Sequence, residues 1–138
     1  MKTNRVTLIT LGVDSIERAC AFYQAIGWEP SEILPEVAFF DMNGMKLGFF
    51  TLDGLANETG RPKEDLKTGA MTLAQNFTSE AEVDAAFAKA VGAGATVVTQ
   101  PTRTNWGGYS GYIADPDGHL WEYAMNPFWE LDEDGHLK

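Results

Sequence analysis

The chain reads as an α+β protein made of tandem βαβββ modules. Three observations carry this. A strand followed by a helix occurs twice, and a shift of 65 residues lays the second copy on the first. Two hairpins that follow the helices also superimpose, at a shift of 74. One main helix per mixed sheet, repeated in tandem, is an α+β arrangement.

The elements follow in order. "RVTLIT" (5–10) alternates and is β-rich, so it reads as a strand. Asp14 is then the expected helix N-cap, with Glu17 three residues on in a box-like arrangement. Ile16, Ala19, Cys20, Phe22, Tyr23 and Ile26 form a helical stripe, and Gly27 ends it. "FFDMNGMKLGFF" (39–50) is two apolar strands around a D-x-N-G turn. A polar stretch, 53–69, has loop composition, with room for a short helical turn at 54–58.

The second module repeats this order. "AMTLAQN" (70–76) is a strand, and Ser79 with Glu82 is an S-x-x-E capping box. Val83, Ala86, Phe87, Ala90 and Val91 form the stripe, closed by Gly92 or Gly94. "YIADPDGHLWEY" (112–123) is the matching hairpin, with Asp115, Asp117 and Gly118 over Asp41, Asn43 and Gly44. The change of shift implies a nine-residue insertion around "TQPTRTNWGG". The expected organisation is one domain: module 5–52, linker 53–69, module 70–127, and an acidic tail 128–138.

Composition narrows the function classes. The 138 residues include eight Phe, four Trp and four Tyr, enough for a real core, and the net charge is −10. That charge argues against nucleic acid and against anionic membrane surfaces. It is compatible with a cationic ligand, although solubility explains it more simply, since Glu130, Asp132, Glu133 and Asp134 crowd the tail. A single cysteine, Cys20, excludes an internal disulfide and fits a reducing cytoplasm. No apolar run approaches the ~20 residues of a membrane span. No nucleophile elbow, P-loop or dinucleotide fingerprint occurs.

"AFYQAIGWEP" after the first strand and "ADPDGHLWEY" near the end, set in tandem modules over residues 5 to 127, resemble the vicinal oxygen chelate superfamily. That group includes glyoxalase I, bleomycin-resistance proteins, extradiol dioxygenases and fosfomycin-resistance enzymes. The resemblance implies curled sheets forming a cupped half-barrel pair around a cavity, and a homodimer. It also implies four metal-ligand positions, on the first and last strand of each half, usually His and Glu.

Seven residues before Asp14 lies Thr7, whose repeat partner is Thr72. Four residues after Gly118 lies Glu122, and four after Gly44 lies Gly48. One carboxylate among four positions cannot hold a divalent transition metal, which needs three or four protein ligands. The expectation is therefore a protein with no metal and no other cofactor. Its partner is a small organic ligand, cationic or aromatic, held in an aromatic-lined cavity. Phe39, Phe50, Trp106 and Tyr109 are assigned to that lining, together with Thr7, Gly48, Thr72 and Glu122. Sequestration of a ligand, as in bleomycin resistance, leads. A metal-independent lyase or isomerase with Glu122 as general base stays open, as does a divergent metalloenzyme. Ordinary core packing competes for the phenylalanines, hairpin pairing for Trp106 and Tyr109, and ion pairing for Glu122.

Overall fold

The computed structural model describes residues 1–138. Two compact units divide the chain, Met1–Lys67 and Thr68–Lys138. Each is a four-stranded mixed sheet with a helix on one face, and neither sheet closes into a barrel. The tandem α+β reading is thereby met.

The first unit runs β1 (Leu8–Val13), α1 (Ile16–Ala25), β2 (Glu32–Ile33), β3 (Val37–Asp41), β4 (Lys46–Thr51) and α2 (Leu52–Thr59), then a single 3₁₀ turn at Lys63–Asp65. The sheet order is β1-β4-β3-β2. β1 lies parallel to β4, and the other pairs are antiparallel. The second unit repeats the plan with β5 (Thr72–Phe77), α3 (Glu80–Gly92), β6 (Thr96–Arg103), β7 (Tyr109–Ala114) and β8 (Leu120–Met125), in the order β5-β8-β7-β6. The expected insertion becomes a long β6 of eight residues where the first unit has a two-residue β2.

The first core is aromatic. Tyr23 of α1 stacks on Phe49 with ring centroids 4.8 Å apart, and meets Trp28 at 5.0 Å and Phe22 edge-on at 4.9 Å. Phe40 and Phe49 pack edge to face at 5.6 Å. Each buried ring contributes about 1.5–3 kcal/mol by leaving water, and each well-placed ring pair about 0.5–1.5 more. Alternation along β3 and β4 sends Ala38, Phe40, Leu47 and Phe49 under α1, while Phe39, Gly48 and Phe50 lie on the face away from it.

Four local readings change. The α1 cap is Ser15, not Asp14: the Ser15 hydroxyl accepts from the Arg18 amide at 3.1 Å. Asp14 instead lies 3.8 Å from the Arg18 guanidinium, one turn along an exposed surface. β1 accordingly starts at Leu8 rather than residue 5. Val91 is exposed rather than part of the α3 stripe, which is buried at Val83, Phe87 and Ala90. An eight-residue helix, Leu52–Thr59, runs into the 53–69 stretch in place of a short turn at 54–58, because Thr51 caps it by accepting from the Gly54 amide and Gly60, at φ +72°, closes it.

The two hairpin turns also differ. Asn43 and Gly44 both have positive φ, 56° and 102°, and Met42 pairs with Met45 across a two-residue turn. In the second unit Asp115 itself organises the turn, accepting from the Asp117 and His119 amides at 2.9 Å each. The tail segment "DEDGHL" repeats that pattern: Asp132 accepts from the Asp134 and His136 amides at 2.9 Å, and Gly135, like Gly118, has φ +87°.

Candidate functional site

Moving the cap from Asp14 to Ser15 moves the site. Ser15 matches Ser79 at a shift of 64, and the strands before the caps follow it. Seven residues before Ser15 lies Leu8, not Thr7. Leu8 pairs with Lys46 in the register where Thr72 pairs with Leu120. Thr7 precedes β1 and is exposed, and its carbonyl accepts from the Lys46 amide at 2.9 Å. Alternation from Leu11 and Val13 groups Thr7 with the α1 side. The four positions are thus Leu8, Gly48, Thr72 and Glu122.

On the first sheet, away from α1, these positions offer no ligand atom. A Cβ built on Gly48 would lie 3.2 Å from the Phe39 ring and 3.3 Å from Leu8 Cδ1. Phe39 and Leu8 therefore flank the space that a side chain at 48 would need. Phe50 lies two residues along the same face, against Gly54 of α2, and Leu52 and Leu55 of α2 close over Gly12. This face is lined with hydrocarbon and partly covered by its own helix.

The second sheet differs. Its α3 side carries Tyr109, Gly111, Ile113, Trp121 and Tyr123, with Phe87 pressed to 3.0 Å from a Cβ at Gly111. The opposite side carries Glu122, directly across from Tyr112 on β7 and Ala74 on β5. Thr72 shares that side two residues away. Glu122 and Tyr112 are both half-buried. Burial pushes the Tyr112 hydroxyl above its ordinary pKa. The Glu122 charge and the hydrogen bond that Tyr112 donates to Glu122 push it further. The phenol therefore stays protonated and serves as a donor. Tyr112 is absent from the lining that the sequence suggests. The cross-strand pairing that identifies it depends on the hairpin register, which composition does not reveal.

Two assigned residues do not join Glu122. Tyr109 points to the α3 side, where its hydroxyl donates to Asp84 Oδ1 at 2.7 Å. That bond, more than its partial burial or the charges of Asp84 and Glu80, raises its pKa. The Trp106 indole folds over Gly108 within its own turn, which Thr104 Oγ1 holds by accepting from the Gly108 amide at 2.9 Å. The contact with α3 accounts for Tyr109, and packing within the turn accounts for Trp106.

At the four superfamily ligand positions the donor set is one carboxylate, one hydroxyl, one isobutyl group and no side chain at Gly48. That set does not fit a divalent transition metal. A separate group, Asp132, Asp134 and His136, brings one donor atom each within 4.8 Å on the exposed tail turn, and Asp132 Oδ1 is already engaged with two amides there. No helix is long and apolar enough to cross a membrane.

Comparison with known proteins agrees with this architecture. A glyoxalase-related enzyme from Fulvimarina pelagi is 36% identical over 98% of this chain and 97% of its own, with a TM-score of 0.91. A lactoylglutathione lyase from Agrobacterium tumefaciens shares the fold at 23% identity and a TM-score of 0.70, covering 95% of this chain and all of its own. An uncharacterized Mycobacterium bovis protein is 45% identical over 53 residues, 38% of this chain, and the match spans only 34% of that protein. The family model for the Glyoxalase/Bleomycin resistance protein/Dioxygenase superfamily matches residues 5–123. With that match across nearly all of both modules, the chain belongs to the glyoxalase/bleomycin resistance protein/dioxygenase superfamily.

Proposed function

We propose that this superfamily member binds a small organic ligand without the usual divalent metal, through the Glu122 side of the second sheet. The observation that supports this is the donor set at the four ligand positions: Leu8, Gly48, Thr72 and Glu122. Glu122, half-buried among neutral neighbours, supplies the polar anchor. The proposed setting is a cytoplasmic homodimer, with buried Cys20 kept as a thiol and Phe128 and Trp129 as contact residues.

The test is metal analysis of chelator-washed protein together with a thermal-shift screen of aromatic metabolites, glutathione conjugates and organic cations. The expected result is substoichiometric metal and an organic compound that raises Tm, since a ligand of the native state stabilises it. A stoichiometric metal that survives chelation overturns the reading.

A second reading, a metal-independent lyase or isomerase, draws on the Tyr112–Glu122 contact, which sets a potential base beside a protonated phenol. Glu122→Gln separates the two readings. Lost turnover with retained binding selects the enzyme, and weakened binding with no turnover in either protein selects the binder.

A further inference from the structure

The charges of the second unit leave Glu122 without a cationic partner. That unit holds three Lys and Arg residues. Arg103 pairs with Glu80 of α3 at 3.4 Å, and Lys138 pairs with Glu130 at 2.7 Å. Lys89 sits in the last turn of α3, on the other side of the sheet. None of the ion pairs includes Glu122. Around Glu122 the same sheet face carries Thr72, Ala74, Ser110, Tyr112 and Ala124, all neutral. The face therefore bears one formal charge, and it is negative.

A half-buried carboxylate is costly unless something compensates it. Tyr112 supplies one neutral hydrogen bond, which orients the carboxylate but leaves its charge. The side chains directly across from Glu122 are Ala74 and the Tyr112 phenol, and alanine has no polar atom to offer the carboxylate. The complement of such a site is an N–H-bearing cation. An ammonium N–H donor gives a short charge-assisted bond, about twice as strong as a neutral one.

We propose that Glu122 and Tyr112 together recognise an organic ammonium ligand: Glu122 accepts the ligand N–H, and Tyr112 is the positioning residue that fixes the carboxylate for it. This deepens the ligand-binding reading and rests on it. The two contributions are separable. The attraction between charges is not directional and acts on any cation. The N–H···O bond is directional and depends on how Tyr112 holds the carboxylate.

The test is a titration of isotope-labelled intact protein with benzylammonium, benzyltrimethylammonium and benzyl alcohol, following the backbone amides of Tyr112 and Glu122 by NMR. The proposal expects benzylammonium to bind about tenfold more tightly than benzyl alcohol, as one charge-assisted bond allows. Benzyltrimethylammonium should fall between them. Glu122→Gln should abolish the preference for cations. Tyr112→Phe should keep a preference for charge but erase the preference for benzylammonium over its trimethyl analogue, which a merely structural tyrosine would not do. Amide spectra of both variants report whether they fold, and the wild-type comparison stands without them. If neither cation outcompetes benzyl alcohol on the wild-type protein, the proposal is overturned. In that case benzyl alcohol binding at the same amides, or a neutral hit in the thermal-shift screen, leaves the broader ligand-binding reading intact. That reading falls only if a chelator-resistant metal is found.

Discussion

At Tyr123 the packing of one residue sets a measurable pH response. Its ring is buried on the α3 side of the second sheet and meets Phe77 edge-on at 6.0 Å. Burial pushes its hydroxyl pKa up to about 12. The folded state thus holds this proton more tightly than the unfolded chain, where the value is about 10. The associated stability is fully present below about pH 10 and is lost as pH rises toward 12. Two pKa units correspond to about 3 kcal/mol. Tyr123→Phe should flatten the alkaline fall in stability by about 2 kcal/mol between pH 9 and pH 11.5, read as urea midpoints at those two values. A fall as steep as the wild type's would disprove the assignment. Neighbouring Glu122 is readable from sequence as facing away from Trp121 and Tyr123, because strand side chains alternate. Its contact with Tyr112 is not readable there, since it needs the β7–β8 register.

Helix caps decide more here than the helices they start. Asp14 and Ser15 are adjacent and are both good N-caps, so residue type alone does not choose between them. The error of one residue passes into β1, where a shift of one exchanges the two faces of a strand. That is why Thr7 takes the place of Leu8 in the sequence reading, while the module order, Gly48 and all of the α3 stripe's buried members, Val83, Phe87 and Ala90, are placed correctly. Ser15→Ala should therefore destabilise the protein by about 1 kcal/mol, and Asp14→Ala by less than about 0.5, since its ion pair is exposed. Denaturant titration of both variants checks this, and equal effects would return the cap to Asp14. Glycines give a second contrast on the other module. A Cβ at Gly111 would lie 2.8 Å from the Pro101 backbone nitrogen and 3.0 Å from the Phe87 ring. Gly111→Ala should destabilise by about 1–3 kcal/mol through overpacking. Gly92, the last residue of α3, has nothing within 4 Å of a built Cβ, so Gly92→Ala should stabilise by up to about 1 kcal/mol. Thermal unfolding of the pair should show Tm shifts of opposite sign.

For the whole molecule, net charge and exposed hydrocarbon oppose each other. Each chain carries −10, so two copies repel at low ionic strength. Phe128 is 76% exposed and Trp129 53%, an apolar pair just before the acidic tail turn. If these rings bring two copies together, as proposed, association should tighten when salt screens the repulsion, because the apolar contact is not weakened by screening. An interface held by ion pairs would loosen instead. Sedimentation equilibrium should then give twice the 15.1 kDa chain mass at 0.15 M salt and a larger monomer fraction near 0.01 M. Phe128→Ser with Trp129→Ser should restore the monomer at both salt concentrations. Circular dichroism should stay unchanged, because neither ring belongs to the buried core. A wild-type monomer at high protein concentration, or a doubly substituted protein that still pairs, would remove these rings from any interface. The salt response of the wild-type protein discriminates by itself. The acidic groups beside the rings, Glu130, Asp132, Glu133 and Asp134, would be brought toward their copies in any contact built there. Their repulsion makes such a dimer's affinity rise with ionic strength, so a falling affinity would place the contact elsewhere on the chain.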